Sequence, residues 1–202
     1  MSKLTESISK YRQNLHGSNP LFINRWSPRA MTGEAVSDDD LMAMFEAAHW
    51  APSSYNNQPW RFIYARRGQP AWGRFFGLLM EANQIWCKDA GVLMVIVAKT
   101  TFDHNGKPAR THAFDTGAAW GMFALEGAAR GLVVHGMQGF DYELAKTDLN
   151  IPDGYEVQAM VAVGVLADAA VLPEAQRERE KPSPRKELTH LIAAGRFTDS
   201  IR

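Results

Sequence analysis

The chain has 202 residues, 46% hydrophobic and 22% charged, which excludes a disordered chain and supplies a core for one folded domain, or two at most. Lys plus Arg and Asp plus Glu each number 22, so a zero net charge gives no electrostatic reason to expect nucleic acid or an anionic membrane as partner. The lone cysteine, Cys87, excludes an internal disulfide and fits a reducing, cytoplasmic setting, while no apolar run nears the roughly 20 residues that span a bilayer.

Met1–Gln13 is polar and lacks the apolar centre of a secretory leader. Residues 3–15 read as a polar amphipathic helix, ended by Gly17-Ser18-Asn19-Pro20, and Asn24–Arg29 as a basic loop. Ser37 with Asp40 resembles a capping box, and Leu41, Met44, Phe45 and Ala48 then recur at helical spacing. That helix must end at Ala51-Pro52, because a residue before proline avoids the α region. Trp60–Ala65 reads as a strand and 71–87 as a helix that packs Cys87. Val92–Ala98 is a continuous apolar run, the pattern of a strand buried on both faces.

Residues 113–130 form a long helix in which Gly117, Ala118, Gly121, Ala124, Gly127 and Ala128 leave one side smooth, with Gly131 as its stop. The turn Gly136–Phe140 leads to a short helix, and Val157–Leu166 is a second buried strand. Residues 173–186 are charged and proline-rich and form an arm; Leu188–Ala194 is a last helix. Loose alternation of helices and strands gives an α/β or α+β class with one layered core.

Four stretches carry candidate chemistry. Arg25, Ser27 and Arg29 offer two guanidinium forks and a hydroxyl, groups suited to phosphate oxygens, or else a solvated basic loop. The run Ala51–Trp60 holds Pro52, Ser53, Ser54, Asn56, Asn57 and Gln58; its amides present donor and acceptor side by side, as the edge of a pyrimidine or flavin requires. Its plainer reading is turn chemistry, which does not need three amides and Trp60. Gly136 and Gly139 around Met137-Gln138 would let backbone N–H groups reach a ligand without Cβ obstruction. Lys181–Lys186 would add a cation. No P-loop, dinucleotide fingerprint, paired-cysteine or H-E-x-x-H spacing is present, and His104, His112 and Asp115 form at best a weak metal set.

Taken together, these residues resemble the nitroreductase family of FMN-dependent oxidoreductases. The matching motifs are Arg25-Trp26-Ser27-Pro28-Arg29, Ala51–Trp60, Gln138-Gly139-Phe140-Asp141, Pro184-Arg185-Lys186 and Asn83 in Asn83-Gln84-Ile85-Trp86. The resemblance implies an α+β fold of three α-β-α layers around a mainly antiparallel sheet, over residues 1–202 as one FMN-binding domain with a basic arm near 173–202, in an intertwined homodimer. It implies that Arg25, Ser27 and Arg29, with Arg185 and Lys186, grip the FMN phosphate, and that Trp26 of the same loop also binds the cofactor. Pro52, Ser53, Ser54, Asn56 and Gln58 line the isoalloxazine of the other subunit, and Asn83 bonds the pyrimidine edge. The N–H of Gln138 or Gly139 faces the flavin N5, beside Gly136. NADH or NADPH serves as co-substrate, an electron-poor small molecule as acceptor, and kinetics are ping-pong, with no catalytic side chain. Where some members carry a lysine near the flavin N1, this chain has Trp86, so that cation is absent or comes from elsewhere, Arg29 being one source. The alternatives are a flavin protein with a specialised activity, such as dehalogenation or enal reduction, and one without reductase turnover.

Overall fold

Strand β2, Val92–Lys99, organises the molecule, here a computed structural model that describes residues 3–201; residues 1, 2 and 202 of the expected 1–202 domain lie outside the described residues. Seven of its eight residues are buried, and they alternate between two cores. Val92, Met94 and Ile96 join one apolar cluster; Leu93, Val95 and Val97 join the other. This is why its sequence is apolar without interruption.

Three further strands, β1 (Trp60–Arg66), β3 (Leu132–Met137) and β4 (Tyr155–Val165), complete a sheet in the order β1-β2-β4-β3, with every ladder antiparallel. One face is covered by α3 (Asp38–His49) and α6 (His112–Ala129), with Leu41, Met44 and Phe123 in the cluster between. The other is covered by α4 (Trp72–Leu78), α5 (Glu81–Cys87) and α7 (Tyr142–Asp148), through Phe75, Leu78, Trp86, Cys87 and Ala145. The result is the expected α+β, three-layer arrangement. Cys87 is fully buried and its thiol is pushed up by that burial, so it is a packing residue.

Local signals act as expected at α3, where Ser37 Oγ accepts from the Asp40 N–H at 3.0 Å, and at the end of α6, where Gly131 takes φ +78°. Elsewhere tertiary contacts override the sequence pattern. The predicted 3–15 helix is a single turn, α1 (Glu6–Ser9), because only Ile8 there is buried and one turn alone does not offset the cost of nucleation. Helix α2 (Pro20–Asn24) was not expected; Asn19 Oδ1 caps it at the Leu21 N–H (2.9 Å) and Pro20 occupies its first position. The predicted 71–87 helix is two helices. They break at Leu79 and Met80 because that backbone pairs with the 139–141 segment: the Met80 N–H donates to the Gly139 carbonyl at 3.1 Å and the Asp141 N–H to the Leu78 carbonyl at 2.9 Å.

Gly136 lies within β3, not in a turn, and only the segment after Met137 leaves the sheet. The 188–194 helix is one 3-10 turn, Leu188–His190, since Leu188, Leu191 and Ile192 are exposed and have no apolar surface to cover. Residues 173–186 form the expected arm, with one helical turn, α8 (Glu174–Arg177). Among the described residues no helix is long and apolar enough to cross a membrane.

Candidate functional site

A cleft of about 700 Å³ runs between α6 and the ends of β3 and β4. Arg25 and Ser27 stand on one wall, Trp120 and Leu125 of α6 on another, and Gly136, Met137 and Gln138 along the sheet edge. Gln158 and Ala159 complete it. Between Ile96 and Val97 the β2–β4 register skips Gln158, a bulge that turns this side chain out of the ladder. A bulge leaves no local sequence signal, so Gln158 was not foreseen.

The absence of a Cβ at Gly136 makes room for the chain's own Trp120, since a Cβ there would lie 2.9 Å from Cζ2 of the indole. Gly139 serves Asn83 in the same way: a Cβ would meet Asn83 Nδ2 at 2.6 Å. Asn83 Nδ2 donates to the Gly139 carbonyl at 2.9 Å, and its Oδ1 accepts from Trp86 Nε1 at 3.3 Å. Asn83 therefore buttresses the 137–140 segment from behind. The Gln138 and Gly139 N–H groups make no backbone hydrogen bond among the described residues, and Gln138 is exposed at the cleft.

Next to the cleft, sharing Arg25 and Ser27, is a smaller pocket of about 260 Å³ with a strongly cationic lining. Arg25, Arg29, Arg12, Arg179, Lys181 and Arg185 all border it. Arg25 Nη1 reaches Ser27 Oγ at 3.3 Å. Burial and Arg185 hold the Arg25 guanidinium below its ordinary value, and burial, Arg185 and Arg25 do the same to Arg12. One carboxylate lies among them: Glu180 Oε1 accepts from the N–H groups of Arg29 (2.7 Å) and Ala30 (2.9 Å), while Oε2 is 4.0 Å from Arg29 Nη1. Cations gathered against their mutual repulsion mark a site for an anion. Lys181 belongs to the stretch expected to add a cation; Arg12, Arg179 and His135, which also borders the pocket, were not foreseen. Arg12 is brought in by tertiary contact alone, from a segment that read as a plain polar helix. Lys186 is exposed and borders neither cavity.

The amide loop lies apart from both cavities of its own chain. It contains a 3-10 turn, Ser54–Asn56, and Tyr55, Asn56 and Gln58 all have positive φ, at 53°, 53° and 47°. Gln58 is bound internally, its N–H donating to Ser53 Oγ (3.0 Å) and its Nε2 to the Asn56 carbonyl (2.9 Å). Asn57 is buried and ties the loop to its neighbour, donating to the Thr101 carbonyl at 3.2 Å and accepting from the Asp103 N–H at 2.9 Å. Pro52, Tyr55 and Asn56 face outward. The weak metal set does not assemble. His104 packs against Tyr55 and Phe102, His112 bonds Glu156 and the Ala109 carbonyl, and Asp115 holds the Ser54 N–H.

The nitroreductase family model matches residues 23–74 and 73–165. An uncharacterized 15.4 kDa protein of Mycolicibacterium smegmatis is 34% identical over 150 residues, 70% of this chain and 99% of its own. Among solved structures, one described as an oxidoreductase containing FMN is 44% identical, with a TM-score of 0.91 over 96% of this chain and 99% of its own. A nitroreductase family protein of Clostridium difficile shares the fold at 18% identity, with a TM-score of 0.68 over 88% of this chain and 97% of its own.

Proposed function

The chain belongs to the nitroreductase family, and on that premise we propose that it is an FMN-dependent oxidoreductase passing reducing equivalents from NADH or NADPH to an electron-poor acceptor such as a nitroaromatic or a quinone. The observation that carries this reading is the adjacency of the two cavities. Arg25 and Ser27 border both, so a ring system in the large cleft would lie next to an anion in the small one. A flat, uncharged head and a phosphate tail match that shape, and the cleft volume lies in the usual range of about 300–1,000 Å³ for cofactor sites.

FMN, when bound, supplies a two-electron acceptor and donor at its N5 atom; the protein binds and orients it. Arg25, Ser27, Arg29 and Arg185 would hold the phosphate, while Trp120 and Met137 would flank the ring. The unbonded N–H groups of Gln138 and Gly139 would donate to ring atoms that gain electron density. Asn83 holds the Gly139 carbonyl and so fixes the 139–140 peptide that follows those N–H groups. Trp86 is buried in the core and contributes no charge.

The proposal includes a cytoplasmic homodimer with shared sites. Its support is the amide loop, whose outward Pro52, Tyr55 and Asn56 meet no cavity of their own chain, and α6, whose Ala113, Phe114, Gly117 and Met122 are exposed. Two copies joined about a two-fold axis would cover that apolar face and bring each loop to the other's cleft. The visible spectrum of the purified protein tests the cofactor reading. A flavin spectrum that bleaches anaerobically with NADH or NADPH and returns with a quinone is expected. A protein that stays colourless after incubation with FMN overturns it. Parallel lines in initial-rate plots against both substrates are expected for ping-pong turnover, and intersecting lines reject that mechanism.

A further inference from the structure

Three segments of the chain meet on the guanidinium of Arg12. Nη1 donates to the carbonyls of Ile23 at 2.7 Å and Arg25 at 2.8 Å, where α2 passes into the basic loop. Nε donates to the carbonyl of Ser183 at 3.0 Å, on the C-terminal arm. Nη2 is buried and has no hydrogen-bond partner among the described residues. A buried donor of a charged fork left without an acceptor is costly, and this one belongs to a residue of the cationic pocket wall.

The arm and the basic loop approach each other at this point with like charge. Arg185 and Lys181 come from the arm, Arg25 and Arg29 from the loop, and Arg12 stands between them. Arg185 spends its Nη1 on its own arm, at Ser183 Oγ (3.0 Å) and the Pro184 carbonyl (3.0 Å), with no carboxylate partner among the described residues. Glu180 is already engaged by the Arg29 and Ala30 N–H groups. The arm is thus held to the loop by Glu180 at the Arg29 and Ala30 N–H groups and by Arg12 at the Ser183 carbonyl, while repulsion between Arg185 and Arg25, which Glu180 does not contact, is relieved by an added anion.

We propose that Arg12 is a positioning residue that makes docking of the 179–186 arm and capture of a phosphate group a single event. The anion accepts from the pocket's guanidinium groups and screens Arg25 from Arg185. Arg12, by holding both the Arg25 and Ser183 carbonyls, sets the separation at which loop and arm grip the anion together. Because coupling between two binding events is reciprocal, the anion must tighten the arm by the factor by which the docked arm tightens the anion. The inference rests on the FMN reading only for the molecule that carries the phosphate.

Hydrogen exchange of the full-length protein tests it, followed in peptides covering residues 179–191 without ligand and with saturating inorganic phosphate, FMN or riboflavin. Phosphate and FMN should slow exchange of the arm about tenfold, and riboflavin should leave it unchanged. In Arg12→Gln the slowing should vanish, with FMN affinity down at least about tenfold and riboflavin affinity retained. Should Arg12→Gln fail to fold, Arg12→Lys carries the same measurements: it keeps the charge but loses the planar fork whose separate Nε and Nη1 hold the Ser183 and Arg25 carbonyls, so the slowing should again be lost. Arm exchange that ignores phosphate in the wild type, or slows equally in both Arg12 variants, overturns the proposal. Arm protection by phosphate in a protein that does not bind FMN supports the coupling and rejects the FMN reading alone.

Discussion

The backbone N–H of Ser54 donates to Asp115 Oδ2 at 3.0 Å, which fastens the amide loop to the first turn of α6. The same oxygen accepts from Thr111 Oγ1 at 3.1 Å, and Asp115 is buried. Left-handed backbone at Tyr55, Asn56 and Gln58 costs about 1–2 kcal/mol per residue and persists only where the surroundings enforce it. Asp115 and Asn57 are those surroundings. Asp115→Ala should lower stability by about 1.5–3 kcal/mol, the usual worth of a hydrogen bond to a charged group, seen as a lower urea midpoint, and should weaken FMN binding in parallel. An unchanged midpoint would show that the loop holds its shape without the carboxylate.

Gly139 and Asn83 should behave as one unit. Gly139→Ala drives a Cβ into Asn83 Nδ2, and overpacking of this kind costs about 1–3 kcal/mol. Asn83→Ala removes the bond to the Gly139 carbonyl, worth about 1 kcal/mol. In the double variant the Cβ has nothing to strike, so its destabilisation should fall short of the sum. Additive losses in chemical unfolding would mean that the two residues do not interact.

The glycines of α6 divide by what they touch. A Cβ on Gly127 would enter Val134 and come within 2.7 Å of Met44 Cε, so Gly127→Ala should cost about 1–3 kcal/mol. Gly117 and Gly121 meet nothing within 4 Å. Gly117→Leu should therefore leave folding of the protomer intact and shift light scattering from dimer toward monomer, with loss of bound FMN. Retention of a dimer by Gly117→Leu would remove this face from the interface.

The strands at 92–98 and 157–166 and the capped α3 were legible because a single local pattern, apolar continuity or Ser37 with Asp40, coincides with what the tertiary structure needs. The smooth side of α6 was legible only as a set: Gly117 and Gly121 point outward, while Gly127 faces Met44 and Val134. The 71–87 break was not legible, since its cause is a backbone pairing with residues some 60 positions later. The basic loop and the arm, each singled out for its cations, are brought to one pocket by tertiary structure. Arg12 escaped because no neighbour in sequence hints at its role, and His135 because the turn expected at 136–140 starts just past it. The amide loop was singled out for its composition, and its strained, outward-facing backbone accounts for that composition.

Loss of a phosphate grip should be visible by comparing FMN with riboflavin. Arg25→Ala removes the guanidinium shared by both cavities. A charge-assisted hydrogen bond is worth about 1.5–3 kcal/mol, so FMN affinity should fall about 10- to 150-fold while riboflavin affinity holds. Equal losses for both ligands, measured by fluorescence titration, would place Arg25 against the ring instead of the phosphate.

His135 should give the ligand-free protein a sensitivity to mild acid. Its Nδ1 lies 2.8 Å from the Pro28 carbonyl, which can only accept, so Nδ1 carries a proton. Its ring packs on Trp86 at 4.6 Å between centroids, and it borders the pocket of Arg25 and Arg29. Burial first, then Arg29 and Arg25, lower its pKa from 6.5, against the pull of the Pro28 carbonyl. The unfolded chain then takes up this proton before the folded one. Stability from His135 is present above 6.5 and is lost as pH falls through 6.5 toward the lower folded value. His112 has the opposite sign: burial opposes its charge, yet bonds to Glu156 and the Ala109 carbonyl raise it, so its contribution fades as pH rises. Subtracting the two profiles isolates His135: in phosphate-free buffer, the gap in urea midpoint between wild type and His135→Gln should narrow on acidification below 6.5. A gap that is constant with pH would show that His135 titrates alike in both states.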